Sequence, residues 1–333
     1  MGVSIKDIAL ALNLSKTTVS WILSGKGESR GFSEATIKQV KKYAQDVNYR
    51  PNLLARSLSL GTTNTIGLII PSIGDTFYAQ MAQAIEREAE KHNYVLTVCS
   101  SEGNSARETQ LIQTLRAKQV DGLIIAPAKK SQVGINVLLH DSFPFVLIDR
   151  YFPELETNYI IVDNEDSSYQ LVRNLIKRGC KKVALMTTDV HLFVMNQRIE
   201  GYKKALSDTG LIYDDKLCKQ ISRIDYEVDI IKKLDELFDE SPDVDAFYFS
   251  THYLALETIR YFIDRGIDYH HKFGMACFHN TIALDILAPE MAIARMPIEE
   301  MGVKAVDILL SNIKQTVKSC QGIILKNSLY GIE

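Results

Sequence analysis

The sequence predicts two architectures in series: an N-terminal all-α helix-turn-helix domain, then a C-terminal α/β body of two lobes with parallel sheets. Three observations predict it. Apolar residues in the first fifty positions recur three to four apart, the period of an amphipathic helix. From Thr65 they gather instead into short β-rich runs separated by helical stretches, and that series then runs a second time. Charge divides at the same place: residues 1–60 hold nine Lys/Arg and four Asp/Glu, the remainder 29 and 37, in a chain of 333 residues with net charge −3. A small basic module ahead of a larger acidic one points to a polyanionic partner for the first part only. At 46% apolar residues the chain has ample material for large cores.

Taken in order, Ser4 can cap a helix over Ile5–Leu12 whose apolar face is Ile5, Ile8, Ala9 and Leu12. "NLS" is a tight connection. Ser15 caps a second helix from Lys16 to about Leu23, with Val19, Ile22 and Leu23 on one face and Lys16, Thr17, Ser20 and Trp21 on the other. Two short amphipathic helices joined this closely make a helix-turn-helix. After the glycine-punctuated "SGKGESRG", Ser33 caps a third helix with Glu34 in its first turn, running to about Asn48 and burying Ile37, Val40 and Tyr43 or Ala44. "NYRPN" stops it, because the residue before Pro51 is pushed out of the helical region. In such a motif the second helix enters the major groove of double-stranded DNA. Its candidate reading residues are Ser15, Lys16, Thr17, Thr18, Ser20 and Trp21. Lys16 suits guanine O6 and N7, Thr17 suits either kind of base edge, and Trp21 offers an apolar contact. The alternative is that Trp21 folds back over the three-helix core and the basic residues form a solvated face.

"SIKDIALALNLSKTTVSWILSGKG" followed by "NYRPNLLARSL" resembles the N-terminal region of the LacI/GalR family of bacterial repressors. The resemblance implies that Asn52–Leu60 is a hinge helix that orders on DNA and enters the minor groove, with Asn52, Ala55, Arg56 and Leu58 at the operator. Leu58 matches a leucine that wedges between base pairs. The stretch is too short to be a stable helix alone, and Leu58 is an apolar wedge of the kind that kinks a base step. The alternative is an ordinary linker helix packed on the body. The expected domains are therefore residues 1–50, a hinge and linker over 51–64, and a body over 65–333.

In the body, "TIGLIIP", "YVLTVCS", "DGLIIAP" and "PFVLID" alternate with helices near 77–92, 105–118 and 131–141. "KKVALMT", "VDAFYFS" and "FGMACF" then alternate with helices near 165–178, 195–209, 226–240 and 252–265. Continuous apolar runs with helices between them argue parallel sheets covered on both faces. "EMAIARMP", a helix near 298–313 and "GIILKNSLY" read as returns between the lobes. The expected lobes are about 65–161 plus 291–318, and about 162–290 plus 319–333. The family resemblance extends over essentially the whole chain. It implies a body like periplasmic sugar-binding proteins, with a cleft between two lobes and a homodimer interface made by both. No phosphate-binding glycine loop, nucleophile elbow or metal-spaced histidines are seen, so neither catalysis, a cofactor nor a metal is expected. His270 and His271 read as surface. The five scattered cysteines indicate no disulfide framework. No signal peptide or membrane-spanning run is recognisable, so a cytoplasmic place at the nucleoid is expected.

Open α/β sheets bind ligands beyond the carboxyl ends of their strands. Those ends supply Ser72, Asp75, Phe77 and Tyr78, then Asp149 and Arg150, Asn196 and Arg198, Thr251 and His252, His279 and Asn280, and Arg295. The resemblance implies that these positions line an effector cleft and that Arg198 binds ligand hydroxyls or acidic groups. Many family members carry Asn-Asp where this chain has Thr251-His252, and an Asp pair where it has His279-Asn280. The replacements leave Arg150, Arg198, Arg295, His252 and His279 against Asp75 and Asp149, a balance suited to an anionic ligand such as a sugar phosphate or sugar acid rather than a neutral sugar. The alternative for each histidine is a structural residue bonded to backbone. "GKGESRGFSEATIKQV", "FSTHYLALE" and "LKNSLY" are most similar to the fructose repressor (Cra/FruR-like) branch, which implies a phosphorylated ketose. The expected function is a DNA-binding transcriptional regulator of carbohydrate metabolism, a repressor, acting on a pseudo-palindromic operator under a small sugar-type effector. The alternatives are a regulator answering a neutral sugar or a protein partner, and a solute-binding module without a DNA role.

Overall fold

The computed structural model describes residues 3–49, 61–188, 193–315 and 320–332. The chain divides between Thr63 and Asn64 into two compact units. The expected hinge residues Asn52, Ala55, Arg56 and Leu58 lie outside the described residues.

The first unit is three helices: α1 (Ile5–Ala11), α2 (Lys16–Leu23) and α3 (Glu34–Asp46). Each begins at the serine that the sequence marks. Ser4 and Asp7 form a reciprocal capping box, Ser15 Oγ accepts from Thr18 N–H, and Ser33 Oγ accepts from Thr36 N–H. Such caps contribute about 1 kcal/mol each. Ile8, Ala9, Val19, Ile22, Ile37, Val40 and Ala44 close the core, and Tyr43 is only partly buried.

The second unit holds two six-stranded sheets. In the first sheet and its coverings are β1 (Thr65–Ile70), α4 (Thr76–Lys91), β2 (Val95–Ser100), α5 (Ser105–Ala117), β3 (Gly122–Ile125), α6 (Gln132–His140), β4 (Phe145–Ile148) and β5 (Tyr159–Val162). The second lobe follows with α7 (Asn164–Lys177), β6 (Val183–Thr188), α8 (Phe193–Asp208), β7 (Cys218–Ile221), α9 (Tyr226–Glu240), β8 (Ala246–Phe249), α10 (His252–Asp264), α11 (Tyr269–Lys272), β9 (Gly274–Phe278), α12 (Ile282–Leu287) and β10 (Ala292–Arg295). Then come α13 (Ile298–Ile313), β11 (Gly322–Leu325) and β12 (Ser328–Tyr330). The strand orders, β11-β5-β4-β3-β1-β2 and β12-β10-β9-β8-β6-β7, repeat one plan, so β4 corresponds to β9. Every pairing is parallel except β10 with β12. Central strands are buried on both faces, which explains their unbroken apolar runs.

The lobe boundaries differ from expectation. Residues 291–295 were expected in the first lobe, but β10 pairs with β9 of the second sheet. Residues 319–333 were expected in the second lobe, but β11 pairs with β5 of the first, and only β12 joins β10. "GIILKNSLY" is thus two strands, one per sheet, broken at Lys326-Asn327. An apolar run carries no mark of which sheet it will join. The chain crosses between lobes at Asp163, at Met296-Pro297 and at Lys326-Asn327. The first and last crossings are tied together: Asn327 N–H donates to Asp163 Oδ1 at 2.9 Å and Asp163 N–H donates to Leu325 O at 2.9 Å. Among the described residues no helix is long and apolar enough to cross a membrane.

Candidate functional site

On α2, Ser15, Lys16 and Thr17 are exposed, and Thr18, Ser20 and Trp21 are half-buried. The Ser15 and Thr18 hydroxyls bond each other at 2.8 Å in the cap, so their side chains are engaged within the helix start. Trp21 lies 6.1 Å from Phe32 between ring centroids, and the Arg30 guanidinium sits 4.7 Å from its ring centroid. The indole therefore leans on the loop before α3 while leaving part of its surface open. Lys16 and Thr17 are the freest groups on this face.

In the body, the carboxyl ends of both sheets converge on a cavity of about 650 Å³. Ten of the thirteen expected positions line it: Ser72, Asp75, Phe77, Tyr78, Asp149, Arg150, Arg198, Thr251, His252 and His279. Asn196, Asn280 and Arg295 do not. Asn196 is exposed on α8, Asn280 donates to Asp285 Oδ2 at 3.0 Å, and Arg295 pairs with Asp285 at 2.9 Å while covering the Tyr330 ring. Strand ends point a residue toward the cleft or away by turn geometry, which spacing alone does not show. Glu102, Lys129, Thr188, Arg223, Tyr226 and Tyr253 also line the cavity and went unrecognised. The strand-end rule extended to β2 and β3 reaches Glu102 and Lys129. Arg223 follows β7, whose "CKQI" has two polar residues at its centre and gives no continuous apolar signal.

The two lobes meet the cavity at equivalent points. Asp149 directly follows β4 with φ +64°, and His279 directly follows β9 with φ +78°. Left-handed backbone at non-glycine residues costs of order 1–3 kcal/mol and concentrates at functional sites. At Asp149 it makes a tight three-residue turn, with Arg150 N–H donating to Ile148 O at 2.6 Å. That turn aims both side chains inward. Tyr78 Oη donates to Asp149 Oδ2 at 2.6 Å, and Arg150 Nε lies 3.2 Å from the same oxygen without hydrogen-bond alignment. Burial pushes the Tyr78 hydroxyl well above its ordinary pKa, so it stays a donor.

Across the cleft, Arg198 donates from Nε to Asn164 Oδ1 at 2.9 Å and from a terminal nitrogen to Ser250 O at 2.7 Å, with its guanidinium 3.7 Å from the Phe278 ring centroid. It is 5% exposed, and no carboxylate among the described residues lies within ion-pair distance. Its charge is carried by two oxygen dipoles and an aromatic face, with Asp149 attracting it from beyond ion-pair distance, which leaves a cation only partly compensated on the cavity wall.

The histidines correct the expected charge balance. His252 Nε2 lies 3.7 Å from Asp75 Oδ1, and its ring centroid is 5.0 Å from that of His279. Burial lowers the His252 pKa, against the pull of Asp75 and with Arg198 adding to the decrease. His279 is lowered well below its ordinary value by burial, then by His252 and Arg198. Both rings are neutral near pH 7, and with Arg295 outside the cavity three of the five expected cations are missing. Lys129 and Arg223 on the lining restore two, against Asp75, Glu102 and Asp149. His279 is not bonded to backbone either: both ring nitrogens are buried without a hydrogen-bond partner, as are Thr188 Oγ1, Thr251 Oγ1 and Arg150 Nε. Each buried polar group left so costs about 1–3 kcal/mol. Five such atoms converging on one cavity form a template for a polar ligand.

The sequence pattern described as "Bacterial regulatory proteins, lacI family" matches residues 4–52, and that described as "Periplasmic binding proteins and sugar binding domain of LacI family" matches residues 63–330. Catabolite control protein A of Priestia megaterium is 29% identical over 322 residues, covering 96% of this chain and 95% of that protein. The lac repressor dimer bound to operator and the anti-inducer ONPF is similar in structure, with TM-score 0.85 at 20% identity, covering 100% of this chain and 98% of that one. The Cra dual regulator of Pseudomonas putida in complex with fructose 1-phosphate gives TM-score 0.71 at 21% identity, covering 80% of this chain and 98% of that one. At that identity the Cra likeness shows the fold alone. The chain belongs to the LacI family of bacterial regulatory proteins, with a helix-turn-helix domain followed by a periplasmic-binding-protein-like body.

Proposed function

We propose that this protein is a homodimeric, sequence-specific transcriptional regulator of carbohydrate metabolism, a repressor, whose operator affinity is set by a small carbohydrate-type effector in the interlobe cleft. No enzymatic role is proposed. α2 reads the major groove through Lys16 and Thr17, and Leu58 wedges the centre of a pseudo-palindrome. Effector binding shifts the lobes and with them the DNA-binding equilibrium, and by linkage DNA changes effector affinity by the same factor.

The observation that carries the effector reading is the buried Arg198, with no carboxylate within ion-pair distance, beside five buried polar atoms that lack a hydrogen-bond partner. A sugar phosphate or sugar acid would supply the missing negative charge through charge-assisted bonds, and its hydroxyls would satisfy His279, Thr188 and Thr251. A neutral sugar is the second reading, favoured by the near balance of the lining: Lys129, Arg150, Arg198 and Arg223 against Asp75, Glu102 and Asp149. A thermal-shift screen of the full chain against neutral sugars, sugar phosphates and sugar acids separates the two, because a ligand stabilises the native state with the logarithm of its excess over Kd. Stabilisation by anionic sugars is expected. Stabilisation by a neutral sugar alone would refute the anionic reading.

A further inference from the structure

Away from the cleft, α4 and α13 pack closely: a Cβ on Gly302 would lie 2.8 Å from Ala84 Cβ. One turn beyond Ala84, Glu88 sits in this seam at 8% exposure. His92 stands four residues further, at the end of α4, and Asp307 projects from α13. Ligand atoms of Glu88, His92 and Asp307 all lie within 4.8 Å of one another, and this is the one such group of three among the described residues. His92 Nε2 is 3.4 Å from Glu88 Oε1. Two ligands on one ion with bonds of about 2.0–2.1 Å stand about 3.4 Å apart in a tetrahedral site. The other Glu88 oxygen accepts from Lys91 Nζ at 2.7 Å, which holds the carboxylate in place and leaves Oε1 toward the imidazole.

The geometry points to a zinc-class divalent cation bound by Glu88, His92 and Asp307, stapling the far end of α4 to α13. An imidazole with two carboxylates favours zinc over magnesium or calcium, which prefer all-oxygen shells. The spread of 4.8 Å closes by side-chain rotation at His92 and Asp307, both of which are exposed. α4 carries Phe77 and Tyr78 at its cleft end, and α13 follows directly on the Met296-Pro297 crossing. A metal here therefore braces two elements that both reach the cavity wall.

The test is calorimetric titration of the full-length protein with zinc chloride, with magnesium chloride as a control, on wild type, His92→Ala and Asp307→Asn. Wild type should take up one zinc per chain at this site and gain thermal stability with zinc. Each variant should keep its metal-free Tm, lose zinc affinity by about tenfold or more, and lose the stabilisation. No saturable zinc binding by wild type overturns the inference. So does wild-type affinity in either variant, which would place the ion elsewhere, for example at His270-His271.

Discussion

Glu108 offers a quantitative test of burial in the first lobe. It lies on α5 with no solvent exposure. Its Oε2 accepts from Ala128 N–H at 2.6 Å, and Oε1 has no partner. Burial raises its pKa to about 7, with the Ala128 N–H, Ser131 and Arg150 pulling the other way. A carboxyl raised in the folded state stabilises fully below its unfolded pKa near 4.5, and that contribution is lost as pH rises through 7. The gap of about 2.5 pKa units corresponds to about 3 kcal/mol. Glu108→Gln keeps the shape and an acceptor for Ala128 but never ionises. The variant and wild type should therefore match in stability near pH 4.5. They should separate as pH rises, with the variant ahead by up to about 3 kcal/mol, or about 6 °C in Tm, at pH 8. Thermal melts of both proteins from pH 4.5 to 8 read this difference directly, because shared titrations cancel. A pH-independent gap, or a variant less stable at pH 8, would refute the reasoning and mean that Arg150 holds Glu108 ionised.

Three further outcomes are expected. Arg198→Ala should weaken binding of an anionic effector about tenfold to hundredfold, the worth of a hydrogen bond to a charged group, while operator affinity by gel shift stays unchanged; an unaltered dose-response curve would count against the assigned role. Leu58→Gly should remove the operator bend in a circular-permutation mobility assay and leave effector binding intact; a wild-type bend would sink the wedge. Gly201→Ala should cost about 1–3 kcal/mol in urea unfolding, because a Cβ there would overlap the Glu165 carbonyl oxygen and lie 2.8 Å from Ser168 Cβ in the α7–α8 seam. An unchanged midpoint would show that this seam yields.

Much of this architecture was legible because the physics is local. Ser4, Ser15 and Ser33 cap helices by their own hydroxyls, and the double-sided burial of β1, β3, β4, β6, β8 and β9 writes continuous apolar runs. β5 and β7 are not in the sequence reading: "YIIV" is as long and as apolar as β3 or β4, so no local feature hides it, whereas "CKQI" has two polar residues at its centre and buries Lys219 beside Ile221. The cleft was legible where a strand end carries its functional residue at once, as at Asp149-Arg150 and His279. Charge was not. His252 and His279 look cationic in sequence, and only burial beside each other and Arg198 keeps them neutral. Glu88 and His92 stand four apart for anyone to see, but Asp307 reaches them only because α13 packs on α4.

The ties at Asp163 and Asn327 also bear on how the body is made. Among the described residues, twenty of the twenty-two strands and α-helices of this unit are synthesised before β11, yet neither sheet is complete at that point. β11 closes the first lobe and β12 the second, and only nine residues span the start of one to the end of the other. Each lobe thus keeps an open edge through most of translation, exposed to other nascent chains, and both are sealed nearly together when residues 322–330 emerge.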